Sequence, residues 1–241
     1  DRKKKVGRAR SMLEENGIEI SAIALYNPGY QEPRDRIERL SAYIELCGEL
    51  GVEVITAMTG GVEGGTLDEN LDYFEEIFVE VAPRDKNADI KICFENCPGL
   101  QGVFPPVNTG NFGFTPEAWE KMFDRVDSPA LGLEFDPSHL VWQGIDWAGA
   151  LQDFASRIPH AHAKDTEILE DKLQEGGFFS AGWWRYRLPG YGRVDWHKFT
   201  SLLKENGYDG AICIEHEDPV FSGERWNDGL EKGHDFLRPM I

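Results

Sequence analysis

The chain has no run of apolar residues near the roughly 18 needed to cross a membrane, and no apolar stretch follows its charged start, DRKKKVGRAR. A membrane span and a secretory signal are therefore not expected. It has no CxxC pair among its four cysteines (Cys47, Cys93, Cys97 and Cys213), so neither a structural zinc ribbon nor a disulfide framework is expected. Cys93 and Cys213 lie in apolar, strand-like runs and read as buried thiols, which fits a reducing compartment such as the cytoplasm. Positive charge is also scarce. Lys and Arg number 25 against 43 Asp and Glu, a net charge of −18, which repels phosphate backbones and anionic membranes. A nucleic-acid partner is disfavoured on that ground. Six of the basic residues crowd into positions 2–10 and read as a solvated helix face. No GxGxxG follows the first strand, and the glycine-rich TGGVEGG lacks the Lys-Ser/Thr of a phosphate-binding P-loop.

What the sequence does have is alternation. Of 241 residues 41% are hydrophobic, enough for a sizeable core, and nothing in the composition marks a linker. Strand-like segments at 18–26, 52–58, 90–96, 131–136, 158–165 and 210–218 alternate with helical patterns at 8–16, 33–50, 67–82, 116–123, 147–156, 194–207 and 227–238. Ile37, Leu40, Ile44 and Cys47 have helical spacing, as do Leu71, Phe74, Ile77, Phe78 and Val81. Gly17, Gly51 and Gly207 are placed as helix stops, and Thr115-Pro116 as an N-cap followed by a first-turn proline. Two stretches, from Asn96 to Thr115 and over 166–193, read as long loops. Repeated βα units imply a parallel sheet covered on both faces, either doubly wound or closed as a (β/α)8 barrel.

Four of these strands end in a side chain that can hold a metal. They are Glu95 in ICFEN, Asp136 in LEFD, His162 in HAHAKD and Glu215 in ICIEHE. In a parallel α/β fold all strand C-termini open on one face, so these four are expected to converge. Three carboxylates and one imidazole, with no thiolate, suit an octahedral divalent ion: Mn2+ first, with Mg2+ or Co2+ as alternatives and Zn2+ in a non-structural role. Four protein ligands leave two positions for substrate or water. His160 lies two residues before His162 and reads as a core or supporting residue, while His197 and His234 read as helix-surface residues. In the second long loop Trp183, Trp184 and Tyr186, and Trp142 before it, are candidates for stacking on a ligand's apolar face. Arg185 and Arg187 are candidates for holding a hydroxyl, carboxylate or phosphate. The same aromatics could instead pack the loops or form a contact between copies in a homo-oligomer.

Taken in order, ENCPG, FDPSHL, HAHAKD, PGYGRVDW and IEHED resemble the sugar-phosphate isomerase/epimerase group of the xylose isomerase-like TIM barrels. The resemblance runs from about residue 18 to the end and implies a single (β/α)8 TIM barrel domain over 1–241. The matched strands correspond to the third to eighth of that barrel, so the first two would lie before residue 1. A divalent metal held by Glu95, Asp136, His162 and Glu215 is implied, with His139 and Lys164 at substrate positions. The implied reaction is isomerisation or epimerisation of a keto-sugar. Proton abstraction occurs beside a metal-bound carbonyl, through an enediolate, with Glu95 and Glu215 exchanging the proton. The same first step also serves a dehydratase or lyase on a keto-sugar, inosose or oxidised glycoside. The implied partner is a small carbohydrate. The apurinic endonuclease branch of the fold needs further histidines on the first two strands read here, and ALYNPGY and ITAMTGG have none. A non-catalytic sugar-binding subunit is the remaining alternative.

Overall fold

In the computed structural model, residues 2–26, 30–82, 90–101, 107–108 and 110–241 are described. The turn expected at Asn27-Pro28-Gly29 lies outside them. Six parallel strands follow one another across one sheet: β1 (Ile23–Leu25), β2 (Val54–Ala57), β3 (Lys91–Glu95), β6 (Leu131–Phe135), β7 (His160–Ala163) and β10 (Ile212–Ile214). This unbroken sequential order is an arc of a (β/α)8 barrel, and the doubly wound alternative, which reverses strand order, does not occur. The arc curls back on itself. Ser21, just ahead of β1, brings its Oγ to 3.5 Å from the Cys213 Sγ of β10. Cys93 is buried as expected, but Cys213, on the outermost strand, is only half-buried.

The helices form where spacing and end signals agree. α1 (Arg2–Asn16) starts earlier than its apolar pattern, because its basic face pairs outward: Arg2 meets Glu45 and Glu49. It buries no residue, as expected of a solvated face. α2 (Pro33–Leu50) turns Leu40 and Cys47 inward and stops where Gly51, at φ 74°, returns its N–H to the Cys47 carbonyl. α3 (Leu67–Val81) opens on a reciprocal capping box between Thr66 and Glu69. Its face of Phe74, Ile77, Phe78 and Val81 is wholly buried, with Phe74 and Phe78 against Phe94 of β3. α4 (Pro116–Arg125) has Thr115 as its N-cap, and α8 (Trp196–Glu205) has Asp195. α6 (Trp147–Phe154) and α9 (Trp226–Leu237) complete the outer layer. Among the described residues, no helix is long and apolar enough to cross a membrane.

Both stretches read as long loops carry structure. The first contains a two-residue antiparallel pair, β4 (Leu100–Gln101) and β5 (Val107–Asn108). The second is largely a hairpin: β8 (Asp165–Ile168) pairs antiparallel with β9 (Trp184–Arg187), with α7 (Glu170–Gly176) between them. Its polar, aromatic strands rise beyond the barrel end, so an apolar alternation could not reveal them. The segment after FDP is likewise helical: α5 (Pro137–Gln143) is capped by the Asp136 carboxylate on the Ser138 N–H and carries its proline in the first turn. His139 thus sits in the first turn of a helix and not on a loop.

The PGYG turn is built around a buried carboxylate. Asp165 accepts the N–H groups of Thr166, Gly190, Gly192 and Val194 and the indole N–H of Trp196, at 2.8–3.1 Å. Gly192 is required there, because an added Cβ would lie 2.2 Å from Asp165 Oδ1. Replacing Asp165 with alanine strands several buried N–H donors, each worth about 1–3 kcal/mol. The expected loss is at least about 3 kcal/mol, lowering the melting temperature by about 6–12 °C. Thermal denaturation followed by circular dichroism checks this.

Candidate active site

The interior is organised by strand register. Glu95 pairs with Glu134 and Glu134 with His160, so the three side chains stand in one row on one side of the sheet. Two residues further along, Asp136 and His162 repeat on the same side, nearer the strand C-termini. The upper group meets Lys164, Glu215 and His139 at the mouth.

Donor atoms of Glu95, Asp136, His139 and Glu215 all lie within 4.8 Å of one another. Three of the four strand-end residues named from sequence are therefore brought together, with His139 beside them. His139 Nε2 is 3.0 Å from Glu95 Oε1, and its Nδ1 is 2.8 Å from the Tyr186 hydroxyl. His162 stands next to this group, not among its mutually closest donors. Its Nδ1 lies 2.9 Å from Glu215 Oε2 and its Nε2 lies 2.9 Å from Glu134 Oε1. Lys164 Nζ donates to Glu215 at 2.6 Å and Glu217 at 2.9 Å, lies 3.3 Å from Asp136 Oδ2 and sits over the Tyr186 ring.

The backbone beneath these groups is clamped. The Asn96 side chain accepts from the Asp136 N–H at 2.7 Å and donates to the Asp136 carbonyl at 2.9 Å. Asn111 donates to the carbonyls of Glu95 and Cys97, while the Cys97 N–H reaches Glu95 Oε2 at 3.1 Å. Asn96, Asp136 and Asn111 are all buried, so β3 and β6 hold their terminal carboxylates rigidly.

Electrostatics push the two glutamates apart. Burial, only partly offset by Lys164, raises Glu95 to about 8. Burial opposes ionisation of Glu215 too, but His162 and Lys164 outweigh it and hold that carboxyl well below the usual range. Burial, reinforced by the Lys164 charge, lowers His139 to about 4 and keeps its imidazole neutral. Burial would lower His162 as well, yet Glu134 and Glu215 on its two sides carry it up to about 11.

This donor set passes a direct test as a cation site. Asp136 Oδ2 is fully buried and has no hydrogen-bond partner. His162 Nδ1, also buried, faces Glu215 Oε2 at 2.9 Å but outside hydrogen-bonding direction. Adjacent ligands about 2.1 Å from an octahedral ion stand about 3 Å apart, so such spacing suits a shared hard cation. Carboxylate and imidazole donors without a thiolate fit Mn2+, Mg2+, Co2+ or Zn2+.

The other residues named from sequence divide. Trp142 stacks flat on Trp184, with centroids 4.7 Å apart and planes 1° apart, and Trp184 meets Tyr186 edge-on. These rings form one wall continuous with His139 through Tyr186. Arg187 does not face an open position: its guanidinium is engaged by Asp218 at 2.9 Å and by Glu167, which also binds Arg185. His197 and His234 are exposed on helices, as expected. Sequence reasoning missed Glu134, and it gave Tyr186 a stacking role without its hydrogen bond to His139. Glu134 is buried among His160, His162 and Tyr26. Its available signal was the i, i+2 repetition of Glu134/Asp136 and His160/His162, which puts each pair on one strand face.

Comparison with known proteins bears on the family and the fold. Uncharacterized protein MJ1311 of Methanocaldococcus jannaschii is 30% identical over 220 residues, taking in 85% of this chain and 67% of that protein. Inosose dehydratase of Clostridium perfringens is 32% identical over 115 residues, covering 45% of this chain and 38% of the enzyme. The chain thus spans two thirds of the first relative and much less of the second. Among solved structures, 3-keto-D-glucoside 4-epimerase, YcjR, from E. coli superposes with a TM-score of 0.71 at 14% identity, covering 98% of this chain and 85% of that one. The IolI protein with a bound zinc atom gives 0.70 at 19% identity, covering 96% and 82%. At such identities the structural matches establish the fold. The family model described as xylose isomerase-like TIM barrel matches residues 2–240, and the chain belongs to that family.

Proposed function

We propose that this protein is a divalent-metal-dependent isomerase or epimerase of a keto-sugar or sugar derivative. The observation carrying this reading is the convergence of Glu95, Asp136, His139 and Glu215 within 4.8 Å, where a buried Asp136 oxygen accepts no hydrogen bond and has the Lys164 ammonium at 3.3 Å and the His139 ring at 3.4 Å near it. Glu95, Asp136, His162 and Glu215 are the residues that would hold the metal, and His139 and Lys164 lie beside them to engage substrate. A divalent ion bound there supplies Lewis acidity, polarising a substrate carbonyl so that the neighbouring C–H becomes acidic.

The chain's own groups then divide the proton work. Glu215, half-exposed and held anionic by Lys164 and His162, is the group suited to take a proton. Glu95, on the opposite flank, where burial raises its proton affinity, is the group suited to return one. His139, neutral and oriented by Tyr186, can hydrogen-bond a substrate hydroxyl. Lys164 can steady a developing negative charge on oxygen. Trp142, Trp184 and Tyr186 offer an aromatic wall for a sugar's C–H face.

The arginines near this wall are already paired with carboxylates. That pairing favours an unphosphorylated sugar or glycoside over a sugar phosphate. A dehydratase reading of the same site draws support from the inosose dehydratase relative, because loss of a β-hydroxyl begins with the same proton abstraction.

Two experiments test this. With Mg2+ or Mn2+ present, a panel of keto-sugars in D2O should show α-proton exchange by NMR. Glu95→Gln and Glu215→Gln should each slow exchange by about 100-fold or more. Full exchange in both variants would remove the proposed acid/base pair. The second experiment follows protons during metal uptake. In the metal-free chain His162 holds its proton up to about 11 and Glu95 up to about 8. Uptake must displace them: one proton between about pH 8 and 11, and more below about 8, where Asp136, also raised by burial, adds its own as the pH falls further. Affinity should therefore rise with pH, by about tenfold per unit where one proton is displaced. Calorimetry in buffers of different ionisation enthalpy reads the proton count. Absence of bound divalent metal, together with indifference to chelator, would contradict the metal assignment.

A further inference from the structure

Below the proposed metal position lies a second polar cluster that catalysis, as described so far, does not use. Glu134 of β6 is 1% exposed and cannot serve as a solvent-facing carboxylate. Its Oε1 is 2.9 Å from His162 Nε2 and 2.9 Å from His160 Nδ1. Its Oε2 accepts from the Tyr26 hydroxyl, which in turn accepts from Thr56 Oγ1 at 3.2 Å. The far nitrogen of His160, Nε2, lies 3.4 Å from Ser21 Oγ and 3.5 Å from Cys213 Sγ. His160 and His162 come from β7 and Tyr26 follows β1, so Glu134 is held from two sides.

We infer that Glu134 is a positioning residue that retains the Nε2 proton of His162 and so dedicates Nδ1 to the metal. The inference rests on the metal site proposed above. An imidazole has two nitrogens, and a metal takes the one whose proton can leave. An anionic acceptor at 2.9 Å makes the Nε2–H the proton that stays. The ring then presents Nδ1, and that atom faces Glu215 Oε2 at 2.9 Å, in the group where the buried Asp136 Oδ2 accepts no hydrogen bond. The carboxylate also increases the electron donation of the ring toward a cation.

Register explains why Glu134 is placed to do this. It is paired with His160, and His162 lies two residues further along the same strand face. The Glu134 carboxylate therefore reaches up to the outer nitrogen of His162 while touching His160 at its own level. The Tyr26 hydrogen bond and the close contacts with His160 and His162 leave Glu134 little freedom to turn away.

The test uses the full chain with Zn2+ alone as probe. In the Zn2+-loaded wild type, nitrogen NMR of labelled histidine should show the metal on Nδ1 of His162 and a proton on Nε2. Glu134→Gln keeps the size and an acceptor oxygen but withdraws the charge. Competition against a chromophoric chelator should show its Zn2+ dissociation constant raised about 10- to 100-fold. A thermal melt of the metal-free variant separates this from unfolding, and the wild-type spectrum decides the nitrogen even if the variant is unstable. Zinc on Nε2, or wild-type affinity in a folded Glu134→Gln, overturns the role of Glu134 and leaves the metal site standing. A wild type that binds no Zn2+ overturns both, since there is then nothing for His162 to be oriented toward.

Discussion

The parallel register of β3, β6 and β7 is the constraint on which the site depends. It sets Glu95, Glu134 and His160 in one row, and the two-residue period of a strand repeats the pattern above with Asp136 and His162. The register is in turn fixed by burial, because a one-residue slip would turn the apolar set of β6, Leu131, Leu133 and Phe135, away from the surroundings that now bury it. The same pairing that hides the core thus delivers the carboxylates and imidazoles to the interior.

Charge concentrated in this way would be unfavourable without compensation. Carboxylates from β3, β6 and β10 converge in a largely buried space, and Lys164 lies among them with Tyr186 over its ammonium group. Breaking such a buried arrangement by removing one partner generally destabilises strongly. The arrangement pushes Glu215 below and Glu95 above the usual carboxylate range, two tendencies of one side-chain type produced by two environments. Around the mouth, Asp165 does comparable work through hydrogen bonds, tying the PGYG turn to the base of the β8–β9 hairpin whose aromatic residues line the site.

Much of the architecture was legible along the chain. The βα alternation, the apolar faces of α2 and α3 and the end signals at Thr115 and Gly51 are local, and local physics reads them. The second hairpin was not legible. Its strands, DTEI and WRYR, lie above the barrel and carry mixed polar and aromatic residues, without the apolar alternation of a half-buried strand. Arg187 illustrates a second kind of limit. Its side chain looks available in sequence, and only the fold shows Asp218 and Glu167 occupying it.

By itself the sequence determined the parallel α/β class, the strand ends at Glu95, Asp136, His162 and Glu215, and the absence of thiolate ligands. Those follow from periodicity and composition, which are properties of neighbouring residues. Only the tertiary structure decided that His139 stands with the three carboxylates, that His162 is shared between Glu134 and Glu215, and that Arg187 is already paired. These are matters of which atoms face one another across strands about 30–50 residues apart. No local pattern encodes such facing, because it is set by the register and curl of the sheet as a whole.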